Sequence, residues 1–159
     1  MNKNEKGFTL IELGIVVAVI AILATVVLMG SGFVSSSRLA KAVEGVDVLK
    51  KASINYAGRV GGTFPTTAAN LVALESRNLI DSLEDGAWKM APGYKVTDLS
   101  LSYVDGKNEM VMTISFPDLV SGQDLYSNLS EDPGFTSDGD CAAPTSGDTS
   151  AKICFSNLI

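Results

Sequence analysis

The chain has 159 residues, a formal net charge of −6 and no histidine, and its length beyond the N-terminal segment suffices for one small domain. The acidic excess argues against a nucleic-acid-binding protein with a basic groove. Because histidine, the commonest general base near neutral pH, is missing and no Walker loop, G-x-S-x-G sequence or zinc motif occurs, we predict neither an enzyme nor a cofactor site.

The first predicted element is an apolar helix that starts directly after Gly7. Over residues 8–29 the only ionisable side chain is Glu12, and this length spans about 33 Å, enough to cross a hydrocarbon core of about 30 Å. Lys3 and Lys6 form a short basic head, which the positive-inside rule keeps in the cytoplasm, so the rest of the chain should face outward. A charge at bilayer depth is costly, and Glu12 should therefore have a partner.

The position of Gly7 distinguishes this N-terminus from an ordinary secretory signal, in which the small residue follows the apolar region and that region is discarded. Here the sequence is G-F-T-L-I-E, and it resembles the class III signal of type IV pilins and pseudopilins. The resemblance implies that a prepilin peptidase cuts between Gly7 and Phe8 and then N-methylates Phe8. It is close over residues 3–37 and covers the rest of the chain only in architecture.

By the same resemblance, Glu12 is the glutamate that the family has at its fifth mature position. Glu12 of an incoming subunit would pair with the new α-amino group of Phe8 in a neighbouring subunit. An ammonium and a carboxylate attract each other strongly in a low-dielectric environment. The alternative is a glutamate near a helix start whose side chain reaches the lipid headgroups.

Weak points in the apolar helix are predicted at Gly14, Gly30 and Gly32. Filaments of the family often contain a helix that is unwound in its apolar half, commonly near a proline, and this chain has no proline there. Each glycine weakens a helix by about 1 kcal/mol relative to alanine. The alternative is that these small residues only allow close helix packing.

The helix is predicted to continue as an amphipathic segment to about Arg59, before Gly61, Gly62 and Pro65 end it. Apolar and charged side chains alternate in this segment at spacings of mostly three and four residues, which favours packing of one helix face against a globular head. The apolar positions are Phe33, Leu39, Val43, Val46, Leu49 and Tyr56.

The head is predicted to begin with a short helix and a loop. Pro65 and the two threonines after it favour a cap that leads into a helix over residues 68–78. Residues 81–93 are predicted as a loop, with Trp88 as a core anchor rather than a platform for a ligand.

Beyond this loop the periodicity changes to two, which is typical of strands. Residues 105–108 are predicted as the turn of an antiparallel hairpin, and Pro117 closes the hairpin. A short helix or turn should follow over residues 118–129, and residues 152–155 should form a last strand. The hairpin segments are residues 94–96, 99–104 and 110–116.

Cys141 and Cys154 are predicted to form a disulfide, because a lone cysteine pair in an exported chain favours one and no C-x-x-C spacing suggests metal or redox chemistry. Type IV pilins similarly end in a disulfide-closed loop. Asp138, Asp140 and Asp148 are weak candidate Ca²⁺ ligands, since loop carboxylates suit that ion. The spacing of an EF-hand is missing, so we expect a solvated acidic loop and no metal.

These patterns together predict an α+β chain with the type IV pilin fold. A long N-terminal helix, apolar in its first half and amphipathic in its second, should pack on a small antiparallel sheet with a C-terminal disulfide loop. The predicted segments are a cleaved leader (1–7), a transmembrane or filament-core helix (8–37), and the amphipathic half-helix with the globular head (38–159).

The resemblance implies a structural subunit of a type IV pilus that polymerises into a surface filament for adhesion, motility, DNA uptake or conjugation. Its partners would be copies of itself, the prepilin peptidase, and an inner-membrane platform with an assembly ATPase. It would lie in the bacterial inner membrane as a precursor and then in an extracellular filament. One alternative is a minor pilin or a type II secretion pseudopilin. The alternative of another class is a single-pass membrane-anchored binding module, with Gly7 uncut and Glu12 paired to another membrane protein.

Overall fold

The computed structural model of the chain describes residues 9–65, 69–137 and 140–158, without the side chains of residues 28–32. These residues fall into two compact units, divided between Ser37 and Arg38. Helix α1 (Leu10–Val60) supplies the described part of the first unit almost entirely and continues into the second.

The first unit is the apolar part of α1. Its stretch Leu10–Val27 has a mean hydropathy of 2.8 and is long and apolar enough to cross a membrane. None of this stretch is buried within the chain. The helix runs without a break through Gly14, Gly30 and Gly32, so unwinding at these glycines in a filament stays a prediction.

The second unit contains a five-stranded antiparallel sheet in the order β1-β2-β3-β5-β4. The predicted hairpin is present as β2 and β3, which are joined by Asp105 and Gly106. Both residues have positive φ angles, 49° and 81°, as a type I′ turn requires. The strands are β1 (Trp88–Ala91), β2 (Tyr94–Val104), β3 (Lys107–Ser115), β4 (Phe135–Thr136) and β5 (Ser150–Ser156).

The amphipathic part of α1 buries one face in the core of this second unit, which confirms the predicted α+β architecture. Val46 and Leu49 are fully buried, and Leu39 and Val43 pack at the border of the core. Phe33 was wrongly placed on this stripe: its side chain is 83% exposed, because it precedes the segment that packs in the head. The opposing sheet residues include Leu101, Met110, Met112, Ile153 and Phe155.

The helix predicted over residues 68–78 is shorter in the structure, where α2 spans Leu71–Glu75. Asn70 is its N-cap, and the Asn70 side chain accepts a hydrogen bond from the Ala73 N–H at 3.2 Å. The chain turns away at Asn78, whose φ is 54°, a left-handed conformation that ends helices. Thr66 and Thr67 of the predicted cap and Ala68, the first residue of the predicted helix, lie outside the described residues.

The loop predicted over residues 81–93 is wrong in part, because β1 lies within it and pairs with β2. Trp88 begins this strand and is 7% exposed, so its predicted place in the core is confirmed. The helix expected after Pro117 is α3 (Leu119–Ser130), with Asp118 as its N-cap. The final strand is β5, and the two-residue β4 beside it was not predicted.

Candidate assembly site and disulfide loop

Glu12 lies on the first turn of α1 and forms a reciprocal pair with Thr9. The Glu12 N–H donates to Thr9 Oγ1 at 3.3 Å, and Glu12 Oε2 accepts from the Thr9 N–H at 2.9 Å. The Thr9 hydroxyl donates to the same carboxylate oxygen at 2.9 Å. This is a capping box, in which a threonine at the N-cap and a glutamate three residues later satisfy each other's backbone N–H groups.

Thr9 was not predicted as a partner of Glu12, although the pattern T-x-x-E ahead of an apolar run is the known signature of this box. The pairing means that Glu12 is already partly satisfied within its own helix. In two of the three hydrogen bonds the acceptor is the same carboxylate oxygen, Glu12 Oε2, and in the third it is Thr9 Oγ1. Among the described residues, Oε1 has no hydrogen-bond partner and stays able to accept a donor from another molecule.

The other predicted processing residues, Gly7 and Phe8, lie outside the described residues. The structure therefore places Glu12 and Thr9 together at the start of the described helix, directly after the predicted cleavage point. Carboxylates near a helix N-terminus are also favoured by the helix dipole, whose positive end lies there. The arrangement fixes a negative group at this end of an otherwise apolar span.

A disulfide joins Cys141 to Cys154, which are 13 positions apart in the sequence and have a Cα–Cα distance of 5.9 Å. Cys154 lies on β5, so the predicted cross-link ties the loop to the sheet. The Tyr126 hydroxyl on α3 donates to the Cys141 carbonyl at 3.0 Å, and the Gln123 amide donates to the Pro144 carbonyl at 3.3 Å. The loop is thus held by the sheet and by α3.

The candidate Ca²⁺ ligands have partners within the protein where they are described. Asp140 pairs with Lys152 at 2.8 Å, and this hydrogen bond holds the Asp140 pKa below its ordinary value. Asp148 accepts hydrogen bonds from the N–H and hydroxyl of Thr145, which lower its pKa as well. Asp138 lies outside the described residues. Within the described ranges, no three His, Cys, Asp or Glu residues are grouped so as to hold a metal ion.

A second link between α1 and the C-terminal part of the head was not predicted. Lys50 on α1 forms an ion pair with Asp132, which follows α3, and the Lys50 ammonium lies 4.5 Å from the centre of the Phe155 ring. Partial burial of Asp132 opposes its ionisation, but the hydrogen bond from Lys50 and another from the Gly134 N–H outweigh it and lower the Asp132 pKa. No sequence pattern signals this contact, because its partners are 82 residues apart.

Comparison with known proteins identifies a motif in the N-terminal segment. The family model of the prokaryotic N-terminal methylation motif matches residues 2–28, whereas no curated protein and no solved structure matches the chain. This motif is the class III signal of type IV pilins and pseudopilins, and it implies processing by a prepilin peptidase and assembly into pilus-type filaments. This motif and a helix that is long and apolar enough to cross a membrane both fit a membrane-anchored precursor. The N-terminal segment of the chain therefore carries the prokaryotic N-terminal methylation motif, the class III signal of type IV pilins and pseudopilins.

Proposed function

We propose that the chain is the structural subunit of a type IV pilus and that it polymerises through α1 into a surface filament. The observation that carries the proposal is the span Leu10–Val27, which is wholly exposed in the chain and has Glu12 as its one ionisable group. Apolar surface of this extent is stable in lipid or against other apolar helices rather than in water. Lipid would cover it in the precursor, and copies of the chain would cover it in the filament.

Cleavage between Gly7 and Phe8 would supply the charge that Glu12 needs. The new α-amine of Phe8 stays basic after methylation, and in a low-dielectric filament core it would be attracted strongly to a carboxylate. The capping box leaves Glu12 Oε1 without a partner among the described residues, which suits a second donor from a neighbouring copy. Each subunit would then offer one carboxylate and one ammonium, and their pairing would set the axial register.

The assembled filament would lie outside the cell, with the disulfide-closed head on its surface for adhesion, motility, DNA uptake or conjugation. The inner-membrane partners would be the prepilin peptidase and an assembly platform with its ATPase. A pseudopilus would use the same export chemistry, and the two differ in whether filaments are released into the medium in quantity by shearing.

Two substitutions at one position separate the charge of Glu12 from its role as a cap. Glu12→Gln keeps a side chain that can complete the capping box, since glutamine also serves there, but it removes the negative charge. Glu12→Ala removes both. We expect both variants to be made and cleaved after Gly7 and both to be absent from the sheared fraction, as measured by immunoblot of membrane and sheared fractions.

Glu44→Gln is the matched control, because Glu44 is an exposed glutamate on the same helix, and it should leave filament yield unchanged. Normal filaments from Glu12→Gln but not from Glu12→Ala would show that only the helix cap matters. Normal filaments from both variants would refute the role of Glu12 in assembly. An uncut chain found only in membranes would instead favour a membrane-anchored binding module.

A further inference from the structure

We propose that the heads of neighbouring copies associate through a basic patch at the end of α1 on one copy and an acidic face of α3 on the next. The basic patch consists of Lys51, Arg59 and Arg77. The acidic face consists of Asp124 and Glu131 with the exposed Val120. The inference rests on the proposed filament and names the surface by which its heads contact each other.

The basic patch arises because the chain separates its charges along the sequence. Residues 48–74 contain no acidic residue but three basic ones, Lys50, Lys51 and Arg59. Lys50 is paired with Asp132 and is not part of the patch, and Arg77 follows this segment. Lys51, Arg59 and Arg77 are exposed, and in the described part of the chain none of them is in an ion pair.

Arg59 and Arg77 are held close to each other. The Arg59 guanidinium donates to the Arg77 carbonyl at 3.3 Å, and the Arg77 guanidinium lies 5.1 Å from the centre of the Tyr56 ring. These contacts position two cations at the C-terminal end of α1, with charge that is not neutralised within the described head. A cation held over an aromatic ring also loses less freedom when it meets a partner.

The acidic face lies in a stretch of the sequence that is rich in acidic residues. Residues 117–151 contain seven acidic residues and no basic one. On α3 the buried side consists of residues such as Leu125 and Leu129, which leaves the other side to solvent. Asp124 and Glu131 are exposed on that side and are in no ion pair that the described residues form.

Val120 gives the acidic face an apolar element. Its side chain is 65% exposed, one turn before Asp124 on the same side of the helix, since residues four apart are neighbours on a helix surface. On the basic side, Ile54 is 39% exposed and lies about one turn after Lys51 on α1. Apolar contacts of this kind add burial to a charge-matched surface.

The two surfaces match in charge and in scale. Asp124 and Glu131 are separated by about 10 Å along α3, and Lys51 and Arg59 by about 12 Å along α1. Because the two surfaces differ and lie at different places on one chain, their contact is heterologous, and a heterologous contact that does not close into a ring generates an open helical filament. Complementary charge would fix the register of the heads more than it would add affinity.

Charge reversal in whole filaments tests the contact. The acidic-face variant carries Asp124→Lys with Glu131→Lys, the basic-patch variant carries Lys51→Glu with Arg59→Glu, and the combined variant carries all four. Each two-site variant should lower the sheared-filament yield at least about tenfold because it places like charges opposite each other, and the combined variant should recover most of the yield. Asp98→Lys with Glu44→Lys, two exposed charge reversals on β2 and α1, makes the same change in net charge as the acidic-face variant and should leave the yield unchanged.

A photo-crosslinking amino acid at Val120 provides a measurement that leaves all charges in place. The expected adduct joins Val120 of one copy to residues 48–62 of another copy, as identified by mass spectrometry of filaments. An adduct to any other segment or to another protein would overturn the contact, as would a combined variant with no recovery or a control with the same loss. If filament yield were the same for every charge-reversal variant, this contact alone would be refuted. If the chain without substitutions formed no filaments, the proposed function would be refuted as well.

Discussion

Gly45 on α1 packs close to Met90 on β1, and this close packing makes a substitution at Gly45 informative. A Cβ atom added at Gly45 would lie 2.8 Å from both Cβ and Cγ of Met90 on β1, and 3.1 Å from Met90 Sδ. Real Cβ atoms essentially never come this close. Met90 Cγ and Sδ can move by side-chain rotation, but Met90 Cβ is fixed to the β1 backbone, so either the helix or the strand must move to relieve that contact.

The change in the free energy of unfolding for Gly45→Ala follows from two opposing effects. Alanine favours the helix over glycine by about 1 kcal/mol, and overpacking a well-packed core costs about 1–3 kcal/mol. Because the contact involves a backbone-anchored atom, the cost should be at the upper end, which leaves a net loss of about 1–2 kcal/mol in the free energy of unfolding. Gly58→Ala is the matched control on the same helix, since nothing lies within 4 Å of its added Cβ, and it should gain up to about 1 kcal/mol.

The assay is urea unfolding of the full chain in a nonionic detergent, followed by the fluorescence of Trp88. Trp88 is the only tryptophan in the chain and is 7% exposed in the head, so its signal reports the head and not the apolar helix. With an m-value of about 2 kcal/mol per M, the midpoint for Gly45→Ala should fall by roughly 0.5–1 M. A midpoint for Gly45→Ala at or above that of the unchanged chain, with Gly58→Ala stabilised as expected, would refute the close packing of α1 on β1.

The remaining predictions use the same Trp88 assay. Replacing Cys141 and Cys154 together by serine should lower the free energy of unfolding by about 3 kcal/mol, because the disulfide closes a loop of this size; a loss below about 1 kcal/mol would contradict a stabilising role for the cross-link. The lowered pKa of Asp132 means that the unfolded chain binds the proton more readily than the folded chain. Its stabilisation is therefore complete above the ordinary carboxyl pKa of about 4 and is lost as the pH falls through the lower folded value. Asp132→Asn should accordingly flatten the acid side of the stability profile, and an unchanged slope would show that the Lys50 pair does not contribute.

The parts of the fold that follow local periodicity could be predicted from the sequence. The apolar run and the three- and four-residue spacing after it define α1, and alternation around Asp105 and Gly106 defines the hairpin. These signals are local because each depends on residues within a few positions of each other. The disulfide was predicted for a different reason, since the chain has two cysteines and no competing metal motif.

The parts that were missed depend on contacts between distant residues. The strand β4 has two residues, and its Phe135 ring makes edge-to-face contacts with Tyr126 and Phe155. No local sequence pattern predicts these contacts. The link from Lys50 to Asp132 is equally non-local. The capping box at Thr9 and Glu12 was missed although its signal is local, because the glutamate was interpreted through groups outside its own helix, either a neighbouring subunit or the lipid headgroups.

The most direct test of assembly through a processed N-terminus is intact-mass and N-terminal fragment analysis of the chain from a sheared extracellular fraction, without reduction. We expect a chain that begins at N-methylated Phe8 and is lighter by two hydrogens for the Cys141–Cys154 disulfide. A chain that keeps residues 1–7 and occurs only in membranes would contradict release of the protein as a filament subunit.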